Sequence, residues 1–259
     1  MSPPPLLLDA AAASHAGQVR EINEDVYGVF PDQRLFVVAD GMGGRAAGEI
    51  AAHLAVDALE AFCRDHRTSD PNAWPFPTDS RFSRSANLLR VGLKVANQRI
   101  REEARKDPSW YRMGATVAAL AFEEDHLVAA HAGDVRVYRI RQGTASRLTR
   151  DHSVVEELRA ARPALAPTGV QALANRNVIT RALGNKPDVE PTVYANTFAD
   201  GDVYLLCSDG LWDCVNDSQI THIILSHPDA ESACHALIDA ANASGAPDNV
   251  TTLVVRVSR

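Results

Sequence analysis

Two short stretches of the chain are apolar at every position, Leu35-Phe36-Val37-Val38-Ala39 and Val203-Tyr204-Leu205-Leu206-Cys207. Runs of this length without alternation predict strands buried on both faces. Each run ends in an aspartate followed at once by glycine: Asp40-Gly41-Met42-Gly43-Gly44 after the first, Ser208-Asp209-Gly210 after the second. Upstream of the first, Val26 to Phe30 reads as a strand, and Pro31-Asp32-Gln33 is too short for a parallel crossover. The pair is therefore predicted to be an antiparallel hairpin, with Glu24 and Asp25 beside Asp40.

Helical spacing takes over from Ala46, where Ile50, Leu54, Ala58 and Phe62 recur on one face, and again over Leu89, Leu93, Ala96 and Ile100, ended by Pro108. The polar stretch His66 to Ser85, with Pro71, Pro75 and Pro77, reads as a loop tacked down by Trp74 and Phe76. Gly114 to Phe122, His126 to His131 and Val135 to Ile140 read as an antiparallel meander. Residues 151–186 are irregular apart from a short helix over Val154 to Ala161, and are predicted to form a surface flap. Helices follow near Ser218 to Leu225 and over Ala230 to Ala243. The last strand runs from Val250 to Val257, directly after Asp248. Short strand links and paired helices predict an α+β fold, two packed antiparallel sheets with helices outside, in which both faces of each sheet are buried. The expected organisation is a loose segment over 1–13 and a single domain over 14–259.

Composition narrows the function classes. A net charge of −7 over 259 residues argues against a general nucleic-acid binder. The four cysteines, Cys63, Cys207, Cys214 and Cys234, form no C-x-x-C pair and read as small buried residues in a reducing compartment. No apolar run reaches the length of a membrane span, and the N-terminus lacks a basic leader, so the expectation is a cytoplasmic protein without a membrane partner. The nine histidines show no zinc-site spacing. G-x-S-x-G, C-x5-R and nucleotide-loop signatures are missing as well.

The chemistry rests on acids at strand ends: Glu24, Asp25, Asp40, Asp134, Asp209 and Asp248. Alone, each has an ordinary explanation. Asp40 serves as a turn residue capping the next helix, and Arg20 as a surface charge. If the acids meet, their repulsion calls for a multivalent cation. An all-oxygen donor set favours Mg²⁺ or Mn²⁺ over Zn²⁺. Two such ions sharing a carboxylate, with Asp40 best placed to be shared, can activate water and clamp a phosphoryl oxygen. Arg20, on the segment of Glu24 and Asp25, is suited to gripping a phosphate.

The segments Arg20-x-x-Asn23-Glu24-Asp25, Asp40-Gly41-Met42-Gly43-Gly44, Gly114-Ala115-Thr116, Gly133-Asp134, Ser208-Asp209-Gly210 and Asp248-Asn249-Val250-Thr251 together resemble the metal-dependent PPM (PP2C-type) Ser/Thr protein phosphatases in their compact bacterial form. The resemblance runs from about Ser14 to the C-terminus. It implies a four-layer α/β/β/α sandwich and two Mn²⁺ or Mg²⁺ ions bridged by Asp40. The Gly41 carbonyl would hold one ion, and Asp209 and Asp248 the other. Glu24 and Asp25 would act near the first ion, directly or through water, and Asp134 with Asp209 would form a weaker third site. Arg20 would hold the substrate phosphate, and metal-activated water would attack phosphorus without a phospho-enzyme. The implied partners are phosphoserine and phosphothreonine proteins and a cognate Ser/Thr kinase, with the chain acting as a monomer. Met42 stands where animal enzymes have a histidine, Arg45 where many bacterial members have one, Val135 replaces a common serine, and His15 replaces a frequent aspartate. None of these removes a primary ligand. Two other readings stay open: a catalytically silent phosphoprotein-binding module on the same fold, and a hydrolase of small phosphoesters.

Overall fold

A computed structural model of the chain describes residues 5–44, 47–162 and 178–259. The hairpin forms as expected. β2 (Asp25–Phe30) and β3 (Leu35–Met42) are antiparallel and joined by a 3-10 turn over Pro31–Gln33. Leu35 to Ala39 are all buried. Alternate side chains of a strand face opposite sides. Phe36 and Val38 therefore enter the layer between the sheets, while Val37 and Ala39 meet the helices.

β3 also pairs with β4 (Gly114–Phe122), which pairs with β5 (His126–Ala132), and β8 (Thr192–Thr197) closes that sheet in the order β2-β3-β4-β5-β8. The second sheet consists of β1 (Leu7–His15), β10 (Val250–Ser258), β9 (Val203–Cys207), β6 (Arg136–Arg141) and β7 (Thr144–Arg147), in that order. Helices α1 (Ala47–His66) and α2 (Arg84–Ala104) cover the first sheet through Ala51, Leu59, Leu89, Leu93 and Ile100. The flap helix α3 (Val154–Ala161) and the single turn α4 (Asp209–Trp212) precede α5 (Asp217–Ser226) and α6 (Ala230–Ala243). The last two cover the second sheet through Ile220, Ile224, Cys234 and Leu237. Between the sheets, Phe122 contacts Phe36 and Tyr204 edge to face, with ring centroids 5.9 Å and 5.5 Å apart. This is the four-layer sandwich. It places the start of β2, the end of β3, the end of β5, the end of β9 and the start of β10 at one edge.

Two expectations are corrected and two strands are added. The meander over 114–140 is broken after β5. Gly133, at φ +114°, turns the chain out of the first sheet, and β6 pairs with β9 in the second. Periodicity identifies strands but carries nothing about which sheet receives them. The loose segment expected over 1–13 is mostly the edge strand β1, zipped to β10 from Leu7↔Ser258 to His15↔Val250. Its alanines carry little strand propensity, and the backbone ladder to β10 supplies the order. The polar strands β7 and β8 escape a hydrophobic pattern because they lie at sheet edges.

Helix α3 matches the expected span, and the flap is pinned at its feet by bridges Ser153↔Ile179 and Ala115↔Leu183. Residues 163–177 of the expected flap, Arg45, and the expected helix start at Ala46 lie outside the described residues. Trp74 is buried against the edge of Phe62, which anchors the 66–85 loop. All four cysteines are free. Among the described residues no helix is long and apolar enough to cross a membrane.

Candidate metal centre

Cross-strand pairing sets Asp25 directly opposite Asp40. The end of β3 is held tightly. The Gly41 N–H donates to the Glu24 carbonyl at 3.1 Å, and the first turn of α1 presses so close that a Cβ on Gly41 would lie 2.1 Å from the Gly48 carbonyl oxygen. The Glu24 carboxylate accepts the Gly48 N–H at 3.1 Å, at the N-terminal end of α1 where a negative charge is favoured. Glu24 therefore braces helix against hairpin in this structure.

Asp25 is buried. Its Oδ2 accepts the Ser208 hydroxyl at 2.7 Å, while Oδ1 has no partner. Ser208 in turn accepts the Thr251 N–H at 2.9 Å, so one hydroxyl locks the start of β2 to the ends of β9 and β10. Burial pushes the Asp25 carboxyl up to about 6 against the pull of the Ser208 and Thr251 side chains. Asp134 is likewise buried, and burial, helped by nearby Asp151, pushes it up to about 6. Asp40 and Asp209 are raised well above the usual carboxylate range, first by burial. Asp25, Asp209, Asp134 and Asp248 add to the effect on Asp40, and Asp134, Asp248 and Asp25 add to that on Asp209. The acids of both sheets thus act on one another.

Asp248 stands differently. Its Oδ2 accepts Arg20 Nη2 at 2.7 Å and its Oδ1 accepts the Asn249 N–H at 2.9 Å. The expected phosphate ligand and an expected metal ligand are therefore paired with each other. Their side chains are 53% and 38% exposed, so the pair is worth no more than about 1 kcal/mol and is easily exchanged.

A hard cation fits this donor set. The ligands are oxygens, two buried and two half-buried carboxyls repel one another, and one Asp25 oxygen is left without a partner. Among the described residues, no three acid, imidazole or thiol side chains are closed around a single point. The acids surround the site without forming a finished ligand shell.

The burial of Asp134 has a measurable consequence. A carboxyl raised from 3.8 to about 6 keeps its proton better in the folded than in the unfolded chain. Its contribution to stability is full below pH 4 and is lost as pH rises through 6, a change of roughly 3 kcal/mol. His152, pushed down to about 3 by burial, acts with the opposite sign and is common to wild type and variant. In chelator, wild type is therefore expected to lose stability relative to Asp134→Asn between pH 4.5 and 7. Thermal unfolding across that range measures it, and a parallel pH dependence of the two proteins would remove the argument.

Sequence reasoning gave no role to the residues that hold this edge together. Asn249 accepts the Glu24 N–H at 2.8 Å through Oδ1 and donates through Nδ2 to the Ala16 and Ile22 carbonyls at 3.0 and 2.9 Å. It clasps the segment carrying Arg20 to the start of β10. Asn23 bridges Ser14 and the Asp25 N–H. The available signal was a polar amide next to Glu24 and another next to Asp248.

A sandwich that gathers buried and half-buried carboxyls from both sheets at one edge defines a protein built to hold hard cations. The protein phosphatase 2C family model matches residues 30–250, and the chain belongs to that family. It is 36% identical over 252 residues to the serine/threonine protein phosphatase PstP of Mycobacterium tuberculosis, covering 97% of this chain. The chain spans about half the length of that curated relative, 45%. Among solved structures, PppA, a key regulatory component of T6SS in Pseudomonas aeruginosa, matches with TM-score 0.78 and 37% identity over 96% of this chain and 97% of that one. The PstP catalytic domain in complex with two manganese ions matches with TM-score 0.82 and 34% identity over 98% of this chain and all of that one (100%).

Proposed function

We propose that this protein is a metal-dependent protein serine/threonine phosphatase that acts on phosphoserine and phosphothreonine proteins, including those phosphorylated by a partner Ser/Thr kinase. The observation that carries the reading is the set of mutually repelling carboxyls at the junction of two sheets, Asp25 and Asp134 buried and Asp40 and Asp209 half-buried, with Asp25 Oδ1 unpartnered. Asp40 and the Gly41 carbonyl, with Asp209 and Asp248, would hold two ions, Mn²⁺ or Mg²⁺, and Asp134 a weaker third. Bound ions would supply Lewis acidity toward a phosphoryl oxygen and lower the pKa of the attacking water. Asp25, fixed by Ser208, keeps the start of β2 facing Asp40. Arg20, held only by a half-exposed pair with Asp248, can turn to a phosphate and meet it with two parallel N–H donors.

Arg20→Ala is therefore expected to raise KM for a phosphopeptide about tenfold, with kcat changed by less than about threefold and little change in thermal stability. Steady-state kinetics with unfolding curves would check this; a kcat loss at constant KM would remove Arg20 from phosphate binding. The function itself is tested by phosphate release from a phosphothreonine peptide with Mn²⁺, with Mg²⁺ and with excess chelator. Release only with metal supports the reading. Folded protein that releases nothing would instead be a silent binding module, and preference for a small phosphorylated metabolite would make it a small-phosphoester hydrolase.

A further inference from the structure

A cleft of about 770 Å³ opens beside the Asp40-Gly41-Met42-Gly43 turn, between the end of α2 and the foot of the flap. Met42 and Gly43 form one wall, Gly184 and Asn185 another, and Arg101, Tyr111 and Arg112 the rest. Close packing fixes this arrangement. A Cβ on Gly43 would lie 2.9 Å from Met113 Cα, which brings the neighbouring Arg112 against the turn. The flap foot is tied in by the paired Ala115 and Leu183 backbones and by the Gly184 N–H donating to Asn97 at 2.8 Å.

The electrostatics of the cleft differ from those of the rest of the molecule. The chain carries a net charge of −7, yet among the described residues no carboxylate lines this cleft. Elsewhere the arginines are mostly engaged, as in Arg90 with Glu190, Arg136 with Asp151 and Arg141 with Asp202. Among the described residues the side chains of Arg101 and Arg112, like those of Arg99, Arg105 and Arg139 elsewhere, have neither a hydrogen-bond nor an ion-pair partner. Tyr111, 82% exposed, lines the cleft and offers an apolar ring with a polar tip. Two free guanidiniums in a concave site are recognition groups for an anion.

Gly43 is three residues from Asp40, a reach of about 10 Å. In an extended peptide, a side chain two or three positions from the phosphoresidue lies about 7–10 Å from it. We infer that Arg101 and Arg112 form a specificity subsite that selects phosphoprotein segments carrying a second anionic side chain, a carboxylate or a second phosphate, two or three residues from the phosphate removed. The inference rests on the phosphatase reading above and adds to it a substrate class.

The test compares kcat/KM for matched phosphothreonine peptides carrying Gln, Glu, phosphothreonine or Arg at the second and third positions on either side. The enzymes are wild type, Arg101→Gln/Arg112→Gln and Arg101→Glu/Arg112→Glu. Wild type is expected to prefer an anionic flank about tenfold, with the preference shrinking in high salt. The glutamine pair should lose that preference while its rate on the neutral peptide and on p-nitrophenyl phosphate is unchanged. The glutamate pair should favour the Arg-flanked peptide. The Glu and phosphothreonine arms decide which anion is read. Equal wild-type rates on all peptides, or a preference that survives in the glutamine pair, would overturn the subsite while leaving the phosphatase reading intact. Absence of metal-dependent release from every substrate, p-nitrophenyl phosphate included, would overturn both.

Discussion

Asp209→Asn is expected to abolish metal-dependent phosphate release, by about a thousandfold or more, and to make the metal-free protein harder to unfold. Both effects have one cause. Asp209 is raised well above its ordinary range because burial and then Asp134, Asp248 and Asp25 oppose its charge. At neutral pH without metal, that charge is a load on the fold. An amide of the same shape removes it, and each kcal/mol relieved raises Tm by about 3 °C for a chain of this size. The amide also lacks the anionic oxygen a hard cation needs, and a thousandfold loss corresponds to about 4 kcal/mol of transition-state stabilisation. Steady-state kinetics with Mn²⁺, and thermal unfolding with chelator, read the two effects on the same sample. An Asn variant that turns over normally, or that is less stable than wild type in chelator, would refute the assignment of Asp209.

Gly41→Ala is expected to be among the most damaging small substitutions in the site. Its Cβ would meet the Gly48 carbonyl oxygen at 2.1 Å and the Glu24 carbonyl oxygen at 2.7 Å, and both are backbone atoms with no rotamer to yield. Either α1 must retreat from β3 or the hairpin must open, at a cost of roughly 3 kcal/mol or more. Tm should fall by about 10 °C and metal-dependent activity should be lost with it. Gly201→Ala is the control. It has a left-handed φ of +80° but open space around its Cβ, so backbone strain of about 1–2 kcal/mol is its whole expected cost. If the two variants unfold alike, the close approach at Gly41 is not what holds that edge.

Much of the site was legible because strand-end acids follow fully apolar runs. The run 35–39 and the run 203–207 are both buried strands, and the short link after Phe30 forced the hairpin that sets Asp25 opposite Asp40. What was not legible depends on partners distant in the chain. Nothing in Val135 to Ile140 distinguishes a third meander strand from one that crosses to β9. Ala10 to Ala13 read as formless because order there is supplied by Val254 and its neighbours in β10. Asn249 and Ser208 are polar residues whose hydrogen bonds close only when residues more than 40 positions away arrive. The Arg20–Asp248 pair spans 228 positions, and only the assembled edge brings it together.

The β1–β10 ladder gives the molecule a direction of mechanical weakness. Leu7 faces Ser258 and the strands run antiparallel, so the two ends of the described chain leave the sheet side by side. Tension applied between them loads the hydrogen bonds one pair at a time, as in a zipper, not all together as in shear. The tear begins at the residues farthest from the acids and travels nine pairs to His15 and Val250. Only there does it reach Ser14, Asn23 and Asn249, the clasp of the metal site. Single-molecule pulling from the ends should therefore show an early low-force step that strips β1 and leaves the acid cluster assembled, and a larger step after it that bound metal moves to higher force.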